Sequence, residues 1–232
     1  MIPIGDENPA HRRPIVTVGL ITVCIGVFLA QLTVLGGLER SAWRLGLVPA
    51  VLTGSARLSP ALDAAPAGWT LLTSMFVHGG WLHLFGNLLY LWVFGDNVEN
   101  RLGHLRFLLF YVAAGLAAAA AQVLAEPGAR LPMVGASGAV SGVLGTYLVL
   151  WPHARVLVFV PVLPFLLPRI RAGWLLGLWF AMQLAGAALT PSEVGGIAFW
   201  AHVGGFLAGL LVGAVMVRRR GPAGPWGPRR RS

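Results

Sequence analysis

The sequence predicts an all-α polytopic membrane protein built as a bundle of six transmembrane helices. The chain of 232 residues is 56% hydrophobic and only 11% charged, whereas about a quarter of the residues in a soluble domain are charged. The basic residues are all arginines, 17 in number, and none of them lies in a long apolar run. Charge is therefore excluded from the membrane-length segments, as expected for an integral membrane protein.

Six uncharged runs approach the length of about 20 mostly apolar residues that a spanning helix needs. The stretch between Ser137 and Trp151 is short for a full crossing. It fits a helix that begins below the membrane surface, which is tolerated only inside protein or beside a wet cavity. The six predicted spans are Pro14–Leu38, Gly79–Gly95, Phe107–Ala125, Leu131–Pro152, Ala172–Ser192 and Val194–Val217.

Six spans put both termini on one side of the membrane. Thirteen arginines lie on that side and four on the other, so the positive-inside rule predicts cytoplasmic termini. The predicted organisation is a cytoplasmic N-terminal segment (1–13), a membrane domain (14–217) with an outer loop (39–78), and a basic cytoplasmic tail (218–232). We interpret the tail as an anchor to the anionic lipid bilayer. No nucleic-acid-binding fold accompanies it, so nucleic acid is not expected as a partner.

Four polar side chains fall at one predicted depth near the outer side. Ser137 begins the fourth span, His202 lies early in the sixth, and His83 and Asn87 lie in the first two turns of the second. With a rise of 1.5 Å per residue, Ser137 and His202 lie roughly 10 Å below the outer surface. His83 and Asn87 are four residues apart and share one helix face. Independent placement would rarely produce this coincidence.

Small residues predict that the fourth and sixth spans approach each other closely. Gly138 and Gly142 are spaced by four residues, as are Gly205 and Gly209. Such small-xxx-small faces allow helix backbones to come together in a membrane. If these faces meet, the Ser137 hydroxyl can reach the His202 ring.

These residues predict nucleophilic hydrolysis. Ser137 is the predicted nucleophile, and His202 the general base and then the general acid for the leaving amine. The predicted oxyanion donors are the Ser137 amide at a helix N-terminus, the Asn87 amide and the His83 ring. No acid in the apolar runs can orient His202, so a Ser–His dyad is expected, without a cofactor or a metal.

Each residue alone also has an ordinary structural interpretation. The Gly-Ala-Ser-Gly segment at 135–138 could serve helix packing, and His202, His83 and Asn87 could bond neighbouring helices. We interpret Trp174, Trp179 and Trp200 as interfacial aromatics. The shared depth and the paired glycines favour the catalytic interpretation.

Taken together, the motifs resemble those of the rhomboid intramembrane serine proteases of the basic six-helix bacterial type. The resemblance covers about Trp69 to Val217. The motifs that carry it are His83-Leu-Phe-Gly-Asn87, Val98-Glu99-Asn-Arg101-Leu-Gly103, Gly135-Ala-Ser137-Gly138 and Ala201-His202-Val-Gly-Gly205-Phe-Leu-Ala-Gly209.

The resemblance implies cleavage of transmembrane protein substrates near the outer face by a Ser–His dyad. It also implies an oxyanion site that uses the histidine and asparagine of the second span, and it favours a location in the bacterial inner membrane. Two positions depart from the family pattern. Thr70 stands where the family often has arginine, and Ser141 where it often has an aromatic residue stacked on the catalytic histidine.

Other function classes fit the sequence less well. A membrane metalloprotease needs H-E-x-x-H, which is absent, and an aspartyl protease needs two acids in the membrane, whereas Asp96 stands alone at the end of the second span. A transporter would carry polar residues at mid-depth, often with inverted repeats, whereas the four polar side chains here lie near the outer side. A catalytically silent rhomboid-like protein that binds membrane clients remains the alternative, and the presence of both Ser137 and His202 argues against it.

Overall fold

Helices form most of the protein. The computed structural model describes residues 1–8, 12–162, 165–190 and 196–220, and within them the chain forms nine α-helices and one small sheet. The helices are α1 (Ile15–Thr33), α2 (Leu38–Leu45), α3 (Pro49–Leu52), α4 (Ala67–Thr73), α5 (Trp81–Leu102), α6 (His104–Ala125), α7 (Ser137–Leu150), α8 (Ala172–Leu189) and α9 (Phe199–Arg220).

Four helices within the described ranges are long and apolar enough to cross a membrane, namely α1, α6, α8 and α9. The other two predicted spans coincide with α5 and α7. Polar residues from Asp96 to Arg101 dilute the apolar character of α5. The 14 residues of α7 cover about 21 Å, less than the roughly 30 Å of a bilayer core. The protein is thus a mostly helical membrane protein, and the count of six crossings stays a prediction.

The expectation of an all-α fold is wrong in one respect, because three strands form an antiparallel sheet. β1 (Ile2–Asp6) pairs with β2 (Arg155–Phe159), which pairs with β3 (Arg169–Arg171). The alternation of buried Val156 and Val158 with more exposed neighbours is a strand pattern. Five residues are few for recognition, and the partner β1 lies about 150 residues away in sequence. The segment taken as a plain cytoplasmic N-terminus therefore forms part of the folded protein.

Several predicted boundaries need correction. Helix α5 continues beyond the predicted second span to Leu102, so Asp96 lies inside a helix. The helix of the fourth span begins at Ser137, as expected. The helix α9 continues into the predicted tail as far as Arg220. The tail beyond residue 220, residues 9–11 of the N-terminal segment and the predicted ends of the fifth and sixth spans within 191–195 lie outside the described residues.

The closest packing in the bundle joins α7 to α9 through glycines. A Cβ atom on Gly205 would overlap the carbonyl oxygen of Gly138, and one on Gly209 would overlap that of Gly142. The Thr146 hydroxyl of α7 also donates a hydrogen bond to the carbonyl oxygen of Gly209, at 2.9 Å. Backbone therefore lies directly on backbone, which only glycine permits at these positions.

Helix α6 packs against both α7 and α9 through alanines. Cβ atoms on Gly138 and Gly142 would lie 2.6 and 2.5 Å from the methyl groups of Ala118 and Ala114. The glycines of α7 thus turn their open side to α6, while their carbonyl groups face α9. These three helices form the tight centre of the protein.

Glu99 fixes the start of α1 against α5. Its side chain is 1% exposed and accepts hydrogen bonds from the amides of Val16 and Thr17 at 2.9 and 2.7 Å. The first amides of a helix have no intrahelical acceptor, and a carboxylate there also interacts favourably with the helix dipole. His104 pairs with the same carboxylate at 2.6 Å.

The outer loop supports the segment that precedes α7. Leu47 and Met133 exchange two backbone hydrogen bonds, at 2.9 and 2.7 Å, and the Ala50 amide donates to the Ala129 carbonyl oxygen at 2.9 Å. Leu47 is fully buried. The part of the loop that contains it therefore packs against protein.

Asp6 connects the sheet to the helices. Its carboxylate accepts hydrogen bonds from the Tyr147 hydroxyl and, at 3.1 Å, from the Asn97 amide. Burial raises the pKa of Asp6 from 3.8 to about 6, against the opposing effect of these donors. The end of β1 is therefore attached to both α5 and α7 through one side chain.

We expect Gly209→Ala to destabilise the purified protein by about 1–3 kcal/mol, because the added methyl group meets backbone that cannot rotate away. Gly213→Ala should cost less, since the nearest atom to its Cβ is the Cβ of Val149, at 2.8 Å. Gly26→Ala in α1, where space is open, is the matched control. Thermal unfolding in detergent measures all three, and equal midpoints would contradict the proposed backbone contact.

Asp6 should make stability depend on pH. The raised pKa means that the folded protein binds more protons than the unfolded chain between about pH 4 and 6. The contribution of Asp6 to stability is therefore greatest below this window and is lost as the pH rises through it. The melting temperature of the wild type, minus that of Asp6→Asn, should increase as the pH falls from about 7 to about 4. A difference that does not change with pH would contradict the burial of this carboxyl group.

Candidate active site

Ser137 is the first residue of α7 and follows a tightly held turn. Gly135 has φ of +116°, which favours glycine, and its amide donates to the carbonyl oxygen of Ser74 at 2.8 Å. The first amides of a helix lack intrahelical acceptors. The Ser137 amide therefore lies where developing negative charge can be stabilised.

His202 lies in the first turn of α9, and α6 holds that turn in place. The Gln122 side chain is 6% exposed, and its Oε1 accepts a hydrogen bond from the Ala201 amide at 3.2 Å. This contact satisfies an amide that the helix itself leaves unpaired. The first turn of α9, which carries His202, is thus attached to a side chain of α6.

The side chains of Ser137 and His202 meet. The distance between Ser137 Oγ and His202 Nε2 is 2.8 Å, within hydrogen-bond range. The contact joins the ends of α7 and α9, one turn from the contact between Gly138 and Gly205. An imidazole nitrogen at this distance can accept the proton of the hydroxyl group.

Two residues of α8 adjoin His202, and the sequence did not predict either contact. Gln183 Oε1 lies 2.8 Å from His202 Nδ1, and the Trp179 ring lies 5.9 Å from the His202 ring between centroids. Trp179, interpreted from the sequence as an interfacial aromatic, packs its ring against His202 and lines the same cavity as Ser137. The available signal was that Gln183 is the only amide-bearing or charged residue in α8, and a buried polar group in a membrane helix needs a partner.

His83 lies beside the turn that precedes Ser137. Its Nδ1 accepts a hydrogen bond from the Gly79 amide at 3.3 Å, so the neutral ring carries its proton on Nε2. A Cβ atom on Gly135 would lie 2.5 Å from that Nε2. The His83 ring therefore faces the backbone two residues before Ser137.

Asn87 lies one turn further along α5 on the same face. Its Nδ2 donates to the carbonyl oxygen of His83 at 2.8 Å, which uses one of its two amide protons. A Cβ atom on Gly135 would lie 3.7 Å from this nitrogen. The second proton is left for another acceptor on the side of the turn.

His83, Asn87, Ser137 and His202 line one cavity of about 840 Å³. This volume lies within the range of ligand pockets in proteins. The exposed side chains of Trp81 and Leu82 belong to its rim, so the cavity has an apolar border. No cluster of three or more His, Cys, Asp or Glu able to hold a metal ion occurs among the described residues.

The two departures from the family pattern have local explanations. Ser141 Oγ donates to the carbonyl oxygen of Ser137 at 2.6 Å, within the first turn of α7. Thr70 Oγ1 donates to the Ala67 carbonyl oxygen at 2.6 Å. Thr73 instead connects α4 to the end of α2, because its hydroxyl group donates to the carbonyl oxygen of Leu45 at 2.6 Å. The aromatic neighbour of His202 comes from α8 rather than from α7.

Comparison with known proteins finds the same family that the sequence motifs resemble. The family model described as Rhomboid domain matches residues 65–219. Rhomboid protein 1, mitochondrial, of Saccharomyces cerevisiae is 35% identical over 149 residues, which cover 62% of this chain and 40% of the yeast protein. Rhomboid protease GluP of Bacillus subtilis is 45% identical over 80 residues, which cover 34% of this chain and 15% of that protein.

A further relative is similar over the same length. Putative rhomboid protease YdcA of Bacillus subtilis is 38% identical over 80 residues, which cover 34% of this chain and 40% of that protein. The chain matches less than half the length of each of these three relatives. The resemblance found in the motifs is confirmed.

We expect Gly135→Ala to slow the reaction of Ser137 with a fluorophosphonate probe by about 100-fold. The substitution adds strain at a positive φ and pushes the His83 ring by a distance near 1 Å, which is enough for such a loss. Gly128→Ala in the same loop, where space is open, is the matched control. Equal labelling rates for the two variants would contradict a role of the 135 turn in the geometry of the site.

Proposed function

We propose, on the premise that this chain belongs to the rhomboid family, that it is an intramembrane serine endopeptidase with Ser137 as nucleophile and His202 as base. The observation that carries the proposal is the 2.8 Å contact between Ser137 Oγ and His202 Nε2 in a cavity bordered by apolar side chains. Serine alcohols are weak nucleophiles, and a neighbouring base is what activates them.

The reaction proceeds in two halves. Ser137 Oγ attacks the carbonyl carbon of the scissile peptide bond while its proton passes to His202 Nε2. The tetrahedral intermediate collapses, the C–N bond breaks, and the imidazolium gives the proton to the leaving amine. A water molecule then attacks the acyl-enzyme with His202 again as base, which releases the carboxylic acid and restores Ser137.

The oxyanion of each tetrahedral intermediate needs donors that are already in position. The Ser137 amide, the Nε2–H of His83 and the second amide proton of Asn87 are the proposed donors, supported by their placement around the 135 turn. One such donor lowers the activation barrier by about 3–4 kcal/mol. The pair and these donors together form the proposed catalytic machinery.

The proposed substrates are transmembrane segments of other proteins. A regular helix hides its carbonyl groups in its own hydrogen bonds, so a substrate must unwind locally in the cavity before Ser137 can attack. Exposed Trp81 and Leu82 at the cavity rim support access from the bilayer. The excess of arginines on the side of the termini supports cytoplasmic termini and an active site near the outer face.

Two other functions compete with this proposal. A silent rhomboid-like client-binding protein would need no hydrogen bond between Ser137 and His202, yet the two atoms lie at bonding distance. A transporter would need a continuous polar path, whereas the polar set clusters beside one turn of α7. Cleavage is the function that uses all of the converging groups.

The test is proteolysis of single-span membrane proteins by purified enzyme in liposomes. Ser137→Ala and His202→Ala should each lower turnover by more than about 10⁴-fold, and the double variant should be scarcely worse, because the pair acts as a unit. Ser55→Ala and His153→Ala, both at exposed positions, are the controls. Wild-type turnover by either single variant would refute the assignment. A folded wild type that cleaves no substrate and is not labelled by a fluorophosphonate would favour the silent client-binding protein.

A further inference from the structure

One polar side chain of α8 is turned away from the lipid. Gln183 is 9% exposed, whereas its neighbours Met182 and Leu184 are 53% and 43% exposed. An amide in a membrane helix is unfavourable unless it finds partners. The partners of Gln183 therefore explain its position, and they lie inside the proposed active site.

The two ends of the Gln183 amide have different partners. Its oxygen lies 2.8 Å from His202 Nδ1, and its nitrogen donates to the carbonyl oxygen of Trp179 at 3.4 Å. If the side-chain amide of Gln183 were flipped, its oxygen would face the carbonyl oxygen of Trp179. Two hydrogen-bond acceptors would then be in contact without a proton between them. The carbonyl oxygen of Trp179 thus directs the Gln183 oxygen towards the imidazole.

This orientation determines the tautomer of His202. Because Gln183 Oε1 can only accept, His202 Nδ1 must carry the proton, and Nε2 of the neutral ring keeps its lone pair. That lone pair faces Ser137 Oγ at 2.8 Å. The other tautomer would place a proton between Nε2 and the hydroxyl group, where the ring could not act as a base.

The same helix also limits rotation of the imidazole ring. Trp179 lies one turn before Gln183, and its ring centroid is 5.9 Å from the centroids of both His202 and Phe206. Phe206 itself is 1% exposed, so it is a fixed support. Gln183 and Trp179 of α8 therefore restrict the imidazole on one side, and Ser137 of α7 contacts it on the other.

We propose that Gln183 is a positioning residue that keeps His202 in the tautomer and orientation able to activate Ser137. The site is then a chain of three side chains, Gln183, His202 and Ser137, with a neutral amide as its outer member. A neutral acceptor fixes the Nδ1 proton without placing a negative charge in the membrane. This inference rests on the proposed protease function.

The kinetic test removes the acceptor but keeps the volume of the side chain. Gln183→Met should lower kcat by about 10- to 100-fold with KM nearly unchanged, because a buried donor is left unpaired and the ring can adopt the inactive tautomer. Gln183→Glu should recover most of the activity, since a carboxyl oxygen takes the place of Oε1. Met182→Leu, on the exposed side of the same turn, is the control and should cleave at the wild-type rate.

A spectroscopic test reads the tautomer independently of activity. ¹⁵N-histidine labelling distinguishes protonated from unprotonated ring nitrogens, and His202→Ala identifies the signals of His202. At about pH 8, where histidine is ordinarily neutral, wild-type His202 should be protonated on Nδ1 alone. Gln183→Met should give a mixture of tautomers.

The outcomes separate this inference from the proposed function. An active wild type whose His202 is protonated on Nε2, or a Gln183→Met variant with wild-type kcat, would overturn the role of Gln183. If the wild type has the expected tautomer but cleaves no substrate, the contact stands and the protease assignment fails. A Gln183→Met variant that does not fold leaves the wild-type tautomer and the Gln183→Glu kinetics to decide.

Discussion

The close approach of α7 and α9 is the constraint on which the rest of the site depends. Ser137 and His202 belong to different helices, and their hydrogen bond of 2.8 Å requires the ends of these helices to lie close together. Gly205 and Gly209 provide that contact against the carbonyl groups of α7. In a bilayer, apolar burial gives helices no net attraction, and close packing of small residues takes its place.

Residue spacing was sufficient to predict the parts of the site that lie along single helices. His83 and Asn87, or Gly205 and Gly209, share a face because of the helical repeat alone. The approach of Ser137 to His202 was inferred from their shared predicted depth and the paired glycines, and the two side chains lie 2.8 Å apart. These features depend on local geometry, and local geometry is what a single sequence encodes most directly.

The parts that escaped prediction depend on how separate elements are rotated or paired. The partner of Gln183 depends on the rotation of α8 about its own axis. One polar residue among apolar ones indicates that this face of α8 is turned towards the protein, but it does not identify the residue that Gln183 contacts. The capping of α9 by Gln122 and of α1 by Glu99 joins segments about 80 residues apart. In the sheet, β1 and β2 have only five residues each and lie far apart in sequence, so their pairing could not be recognised.

The pairing of β1 with β2 imposes an order on biosynthesis. Residues 2–6 leave the ribosome before their partner at 155–159, which is made only after α1, α5, α6 and α7. Until then the backbone amide and carbonyl groups of this segment lack their partner strand, and unpaired groups of this kind can join other chains. Tyr147 in the last turn of α7, whose hydroxyl group donates to the Asp6 carboxylate, is likewise made long after Asp6. A ribosome-bound fragment that ends before residue 155 would therefore carry residues 2–6 still accessible to proteases, and translation through β2 would protect them.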